Sequence, residues 1–112
     1  MSIVRLYTGS DGKTHMEDLS LESHPELTSM HNVTGAQFRT TPAGYFSDWH
    51  TAPRRQYVIT LSGEVEIGLE DGTVRRFGPG HVTIAEDTTG DGHTTRVVGS
   101  QPRVSITIPL AD

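Results

Sequence analysis

Short apolar and β-branched runs, separated by turn residues, recur along the whole 112-residue chain. Residues 64–69 and 104–109 alternate polar with apolar side chains, which is the period of a strand with one solvated face. Asp71-Gly72 supplies the positive φ that a tight hairpin turn needs. Further strand-like runs cover residues 3–7, 56–61, 74–77, 81–85 and 93–98. With no crossover helix, the pattern predicts a β-sandwich or a small jelly-roll barrel of roughly eight or more strands.

The first third of the chain is less regular. Residues 14–21 predict a strand followed by a loop, and residues 33–41 predict another strand. Between them, Pro25 biases His24 away from the helical conformation, and helical periodicity is weak. We therefore expect no helix longer than one turn in this region and an all-β chain overall.

Composition excludes several classes of protein. The length matches a single domain, which we place over residues 1–112. The formal net charge of −5 argues against nucleic-acid binding, because phosphate recognition needs clustered Lys and Arg. The chain has no cysteine, no signal-peptide pattern at its start and no run of roughly 20 apolar residues. We expect a cytoplasmic protein without nucleic-acid or membrane partners.

The stretch 44–63 contains the strongest candidate for a functional site. His50 stands beside Trp49, the only tryptophan, and shortly before Pro53, which cannot donate to a β-ladder. His50 is therefore expected at a strand end, beside the buried strand 56–61, where a small pocket can form. Alternation along that strand places Val58 and Thr60 on the same face as Gln56, and Tyr57, Ile59 and Leu61 on the other.

The spacing within 44–63 resembles the first motif of the cupins, G-x5-H-x-H-x3/4-E-x6-G. Gly44, His50 and Gly63 match it at every interval, whereas Ala52 replaces the second histidine and Gln56 the glutamate. A second motif, G-x5-P-x-G-x2-H-x3-N, is matched more loosely at about 78–97. There Gly90 and His93 keep their spacing, Thr88 and Val97 replace the proline and asparagine, and Gly78-Pro79-Gly80-His81 resembles the turn that precedes this motif.

The resemblance implies a double-stranded β-helix, the cupin jelly-roll barrel, with a metal site in its lumen. Cupins bind iron, manganese, nickel or zinc, and by position His50, Gln56 and His93 would be the metal ligands here. Two imidazoles and a neutral amide are a weak set for such ions. A fourth residue would have to complete the site, and the candidates are Asp48, Asp87, His15 and His31.

His50 and His93 are also the predicted catalytic residues. Five further residues are candidates for contacts with a small-molecule ligand: Trp49, Gln56, Tyr57, Val58 and Thr95. His81 is expected to be solvated or structural. The loop around Glu86-Asp87 is expected to be exposed to solvent, and it could supply a general base only if a neighbour raised its pKa. Arg54 and Arg55 could bind a carboxylate substrate, but we expect them to pair on the surface with Glu64, Glu66 or Glu70.

Three functional hypotheses remain open. The first is an enzyme of the isomerase, lyase or oxygenase type, which uses either a divalent metal or histidine acid–base chemistry. The second is a module that binds or senses a small ligand without turning it over, and the third is a structural protein with a degenerate pocket. In each case we expect a homodimer that pairs through an outer sheet face, because apolar residues occupy both faces of strand 56–61.

Overall fold

Two β-sheets face each other in the computed structural model, which describes residues 1–111. The larger sheet has six strands in the order β2-β1-β8-β5-β10-β3, and the smaller has four in the order β4-β9-β6-β7. The strands are β1 (Ile3–Thr8), β2 (Thr14–Leu19), β3 (Gln37–Thr41), β4 (Phe46–His50), β5 (Gln56–Ser62), β6 (Glu64–Gly68), β7 (Val74–Phe77), β8 (Val82–Ala85), β9 (His93–Val98) and β10 (Arg103–Pro109). The all-β jelly-roll prediction is confirmed.

The helical content is as small as the sequence indicates. A single 3₁₀ turn, Pro25–Thr28, is the helical element of residues 1–111. Nowhere in that range does a helix have the length and hydropathy needed to cross a bilayer.

Two strands, β3 and β4, differ from the prediction. β3 begins at Gln37 rather than at residue 33, because Val33 contributes only an isolated bridge to Leu110. β4 was not predicted, because its polar residues obscure the strand pattern. This strand ends at His50, so the predicted strand-end position of His50 is confirmed.

The apolar core lies between the two sheets. Val4 and Leu6 of β1 pack against Val65 and Ile67 of β6 and against Phe77 of β7, and all five are buried. Apolar side chains at alternate positions hold the sheets together here by removing their surface from water. A cavity with polar groups on its walls opens directly beside this core, because Leu6, Val65 and Ile67 also line it.

Gly63 sets how tightly β5 turns into β6. Its φ is 78°, and a Cβ at this position would lie 2.4 Å from the carbonyl oxygen of Pro102. Only glycine accepts both the left-handed backbone and this close approach. The last glycine of the first motif therefore serves the path of the chain rather than the cavity.

His81 was predicted to be either solvated or structural, and it is structural. Its side chain is 2% exposed, and its ring stacks on Phe77 with 3.8 Å between the ring centroids. Its two ring nitrogens are hydrogen-bonded to the hydroxyls of Ser2 and Thr83, at 2.7 Å and 2.8 Å. Burial lowers the pKa of His81 to about 4, and the positive charges of Arg103 and Arg75 act in the same direction against a weaker effect of Asp18.

This lowered pKa predicts a pH-dependent stability. Above about pH 6.5 His81 is neutral in both the folded and the unfolded chain, whereas between about pH 6.5 and 4 only the unfolded chain takes up the proton. Folding stability is therefore lost as the pH falls through this window, approaching on the order of 3 kcal/mol at pH 4. Urea unfolding at pH 7 and pH 4.5 tests this expectation. The free energy of unfolding of wild type should exceed that of His81→Gln by less at pH 4.5 than at pH 7. A difference that stays constant with pH would contradict the lowered pKa of His81.

Candidate functional site

The cavity between the sheets has a volume of about 280 Å³ and draws its walls from both of them. Its lining combines apolar side chains with polar groups that face inward. The polar groups that matter below are His50, His93, Gln56, Arg39, Arg103 and Tyr45. A concave, mixed pocket with a few convergent polar groups is the usual form of a small-molecule site.

A buried carboxylate orients His93, the first residue of β9. The Nδ1 atom of His93 donates to Oδ2 of Asp87 at 2.5 Å, and the same oxygen accepts a 2.8 Å hydrogen bond from the hydroxyl of Thr14. The backbone N–H of Ala52 donates to the carbonyl oxygen of Asp87, which ties this loop to the chain after His50. Because Asp87 occupies Nδ1, Nε2 is the ring nitrogen left to face the cavity that His93 lines.

The expectation that the loop at Asp87 is exposed to solvent is wrong. Asp87 lies two residues after the end of β8 and is 0% exposed. Burying a carboxylate is costly unless donors compensate its charge, and here Thr14 and His93 supply them. Its second oxygen, Oδ1, is the buried side-chain polar atom without a hydrogen-bond partner among residues 1–111.

His50 lies beside His93 on the same sheet. The two residues pair across β4 and β9, and their ring centroids are 4.5 Å apart. Nδ1 of His50 donates to the carbonyl oxygen of Asp48 at 2.6 Å, with the hydroxyl of Ser47 at 3.1 Å. Since a carbonyl only accepts, the proton of the neutral ring is at Nδ1, and Nε2 is free to bind a ligand.

Gly92 makes this pairing of the histidines possible. It has a φ of 77°, and a Cβ there would lie 2.0 Å from the carbonyl oxygen of His50. Any other residue would separate the start of β9 from the end of β4.

The structure brings three of the five predicted ligand-contacting residues to the cavity. Gln56 and Val58 of β5 line one wall, and Thr95 of β9 lines the opposite one. Tyr57 does not reach the cavity and points into a groove on the outer face of the large sheet, near His31. Because Gln56 and Val58 face the cavity and Tyr57 faces away from it, the predicted alternation along β5 is confirmed. Trp49 is 48% exposed and lies outside the cavity lining, beside an irregularity in the pairing of β4 with β9.

None of the four candidates for an additional metal ligand joins the cavity lining. The carboxylate of Asp48 accepts the backbone N–H of Trp49 on the surface, and that of Asp87 is occupied with His93. His15 pairs with Asp11 at 3.0 Å, and His31 lies in the outer groove.

The donor set therefore does not fit a resident metal of the kind that cupins hold. Residues 1–111 contain no group of three or more His, Cys, Asp or Glu side chains placed to share an ion. The cavity offers two imidazoles, the neutral amide of Gln56 and the phenol of Tyr45, with Ala52 at the position of the missing histidine. Tight binding of divalent first-row metals calls for more imidazole or carboxylate ligands.

The predicted surface partners of Arg55 are also wrong. Arg55 donates from Nε to Glu86 at 2.7 Å, and Arg5 binds the other oxygen of the same carboxylate. Burial favours the neutral form of Glu86, but the two arginines outweigh it and hold the pKa of this carboxyl below its usual range. Glu64 and Glu70 pair instead with Arg76 and Lys13.

Sequence reasoning did not single out Arg39 and Arg103, which both line the cavity. Alternation along β10 puts Arg103 on one face with Ser105 and Thr107 and the apolar residues on the other. By the ordinary rule of apolar inside, these polar positions would face solvent. Alternation along β10 thus identifies its two faces, but the rule assigns the polar face to solvent. That assignment is wrong because the outer face of this sheet is the more apolar one.

Comparisons with known proteins support the fold. No protein-family model and no curated protein matches the chain. Among solved structures, the DMSP lyase DddQ from Ruegeria pomeroyi DSS-3 is 28% identical, with a TM-score of 0.55 over 69% of this chain. This chain spans only 38% of the length of that lyase.

Two other structures are similar at lower identity. A protein with a double-stranded β-helix domain from Klebsiella pneumoniae is 20% identical, with 70% of this chain and 73% of that chain covered and a TM-score of 0.52. A Cupin 2 conserved barrel domain protein from Salinispora arenicola is 18% identical, with 68% and 62% covered and a TM-score of 0.52. The chain is a small protein with the cupin fold, as its first motif indicates.

Proposed function

We propose that the cavity is the active site of a lyase-type enzyme in which His93, oriented by Asp87, is the general base. The observation that carries this proposal is the buried hydrogen bond between Asp87 and Nδ1 of His93. A general base must keep one nitrogen unprotonated and aimed at the substrate, and the hydrogen bond at the other nitrogen sets that tautomer.

The proposed step moves one proton. A carbon–hydrogen bond of the substrate breaks, its proton goes to Nε2 of His93, and the electron pair forms a carbon–carbon double bond as the leaving group departs. The imidazolium that forms is stabilised by the carboxylate of Asp87, which water cannot screen because it is buried. His50 accepts a hydrogen bond from the substrate through its free Nε2.

The lyase type is favoured over the isomerase and oxygenase types by two points. The solved structure with 28% identity to this chain is described as a DMSP lyase. Oxygen chemistry calls for a redox centre, and the donor set of this cavity does not fit a metal.

A non-catalytic binding module is the second candidate. The replacements at Ala52 and Gln56 remove two of the four motif ligands while leaving an open cavity of about 280 Å³. Such a cavity would hold a small ligand without turning it over.

DMSP is the first compound to test. We expect wild-type protein to cleave it and His93→Gln to lose at least a hundredfold in kcat, the usual contribution of a positioned general base. His15→Gln is the control, because His15 lies on the surface with Asp11. Product formation followed by NMR gives the rates.

Two results would count against this function. Equal cleavage by wild type and His93→Gln would remove His93 from the mechanism. DMSP that raises the melting temperature of the wild type but survives unchanged would favour the binding module.

We further propose that two copies pair through the outer face of the six-stranded sheet. Strand registers place Phe38, Ile106, Ile59, Val82 and Ile3 in one row across five neighbouring strands. Phe38, at one end of this row, is 73% exposed. A contiguous apolar row on a sheet face is typical of an interface that a second copy covers.

Sedimentation velocity at micromolar concentration tests the pairing. We expect a dimer for the wild type and a monomer for Phe38→Glu, because the new carboxylate would be buried without a partner. Val74→Glu is the matched control, since Val74 is exposed on the smaller sheet. A monomeric wild type would refute the proposal.

A further inference from the structure

Two positive charges share the inner face of the large sheet. Arg103 pairs with Thr41 across β10 and β3, and Ser105 pairs with Arg39. The two arginines are therefore diagonal neighbours on one face, where like charges destabilise a sheet. Both line the cavity, Arg103 partly buried and Arg39 exposed at its mouth.

Neither arginine has an acidic partner in the part of the chain that the structure describes. No carboxylate of residues 1–111 lies within 4.0 Å of either guanidinium, and Arg103 donates only to the hydroxyl of Thr60, at 3.2 Å and 3.0 Å. Burial, and secondly the charge of Arg39, lower the pKa of Arg103 to about 10, which leaves it charged at neutral pH. Buried charges are ordinarily paired, so an anion bound in the cavity would stabilise the charge of Arg103.

The contrast with the rest of the chain strengthens this point. The protein carries a formal net charge of −5, yet no Asp or Glu of the described residues belongs to the cavity lining. Asp87 lies behind His93 and is occupied by two donors. An acidic protein with a positively charged cavity is suited to hold a negatively charged molecule there.

We propose that the cavity binds the carboxylate of a small organic acid through Arg103 and Arg39, with the rest of the molecule extending toward His93. The planar guanidinium matches a carboxylate in a two-point contact. The carboxylate assignment stands on the arginines alone, whereas the reacting end rests on the function proposed above.

The register of β10 shows how the arginines and the imidazoles come to share one cavity. Arg103 begins this strand of 7 residues, and Pro109 at its other end pairs with Gln56. Gln56 pairs in turn with Ala85, which ends β8 two residues before Asp87. Arg103, Gln56 and His93 all line the same cavity of about 280 Å³, so a carboxylate held by the arginines and a carbon that reacts at His93 can belong to one small molecule.

Binding of three isosteric probes to the full chain tests the charge requirement. Butyrate, butyramide and butyramidine have the same size and shape but are anionic, neutral and cationic at pH 7.5, and NMR titration of the backbone amides measures each affinity. We expect butyrate to bind at least tenfold more tightly than either of the others, and Arg103→Gln to weaken butyrate at least tenfold. Arg96→Gln is the matched control, because Arg96 stacks on Phe46 at the surface.

The same titration separates this inference from the proposed chemistry. His93→Gln should bind butyrate within about threefold of wild type even if it loses all turnover. Equal affinities for butyrate and butyramide in wild type would overturn the inference without any variant. Tighter binding of inorganic phosphate than of butyrate would overturn the assignment of a carboxylate ligand. Loss of butyrate binding in His93→Gln but not in Arg103→Gln would show that the imidazoles, and not the arginines, bind the anion.

Discussion

The hydrogen bond between Asp87 and His93 is the interaction on which the candidate site depends. It joins a fully buried carboxylate to the first residue of β9, and the same carboxylate oxygen also accepts from Thr14 of β2. Because a buried charge is tolerated only with donors around it, these contacts and the Ala52–Asp87 backbone bond hold both sheets together at this end of the cavity. The cost of burying Asp87 is therefore offset by an arrangement that also sets the tautomer of His93.

The departures from the cupin motifs form a consistent chemical pattern. Ala52 and Gln56 take away an imidazole and a carboxylate, so the remaining side chains do not form a set that fits a resident metal. In the same cavity Arg39 and Arg103 supply positive charge. The lumen that the cupin motifs would suit to a cation is therefore proposed, in this chain, to hold an organic anion. The acid–base pair of histidine and aspartate does not need a metal to act on such a molecule.

The fold and half of the site could be predicted from sequence because they rest on local patterns. Period-two alternation and turn residues predicted the strands, and the interval from Gly44 to Gly63 predicted that His50 and Gln56 face a cavity. The role of Asp87 could not be predicted, since an acid in a polar loop looks solvated until the loop is folded against β2 and β9. The arginines were missed for a related reason. Alternation identifies two faces of β10 but not which one is inside, and this sheet is more apolar on the outside.

The protonation of the His93 ring tests the central claim most directly. Two-dimensional ¹⁵N–¹H NMR at pH 8, where an ordinary imidazole is neutral, distinguishes which ring nitrogen carries the proton. The account predicts that His93 carries it on Nδ1 with an unprotonated Nε2, that Asp87→Asn abolishes this preference, and that solvent-exposed His24 is unaffected by the substitution. A neutral His93 ring protonated on Nε2 in the wild type would contradict the account, because the nitrogen that faces the cavity would then be unable to take a proton from a substrate.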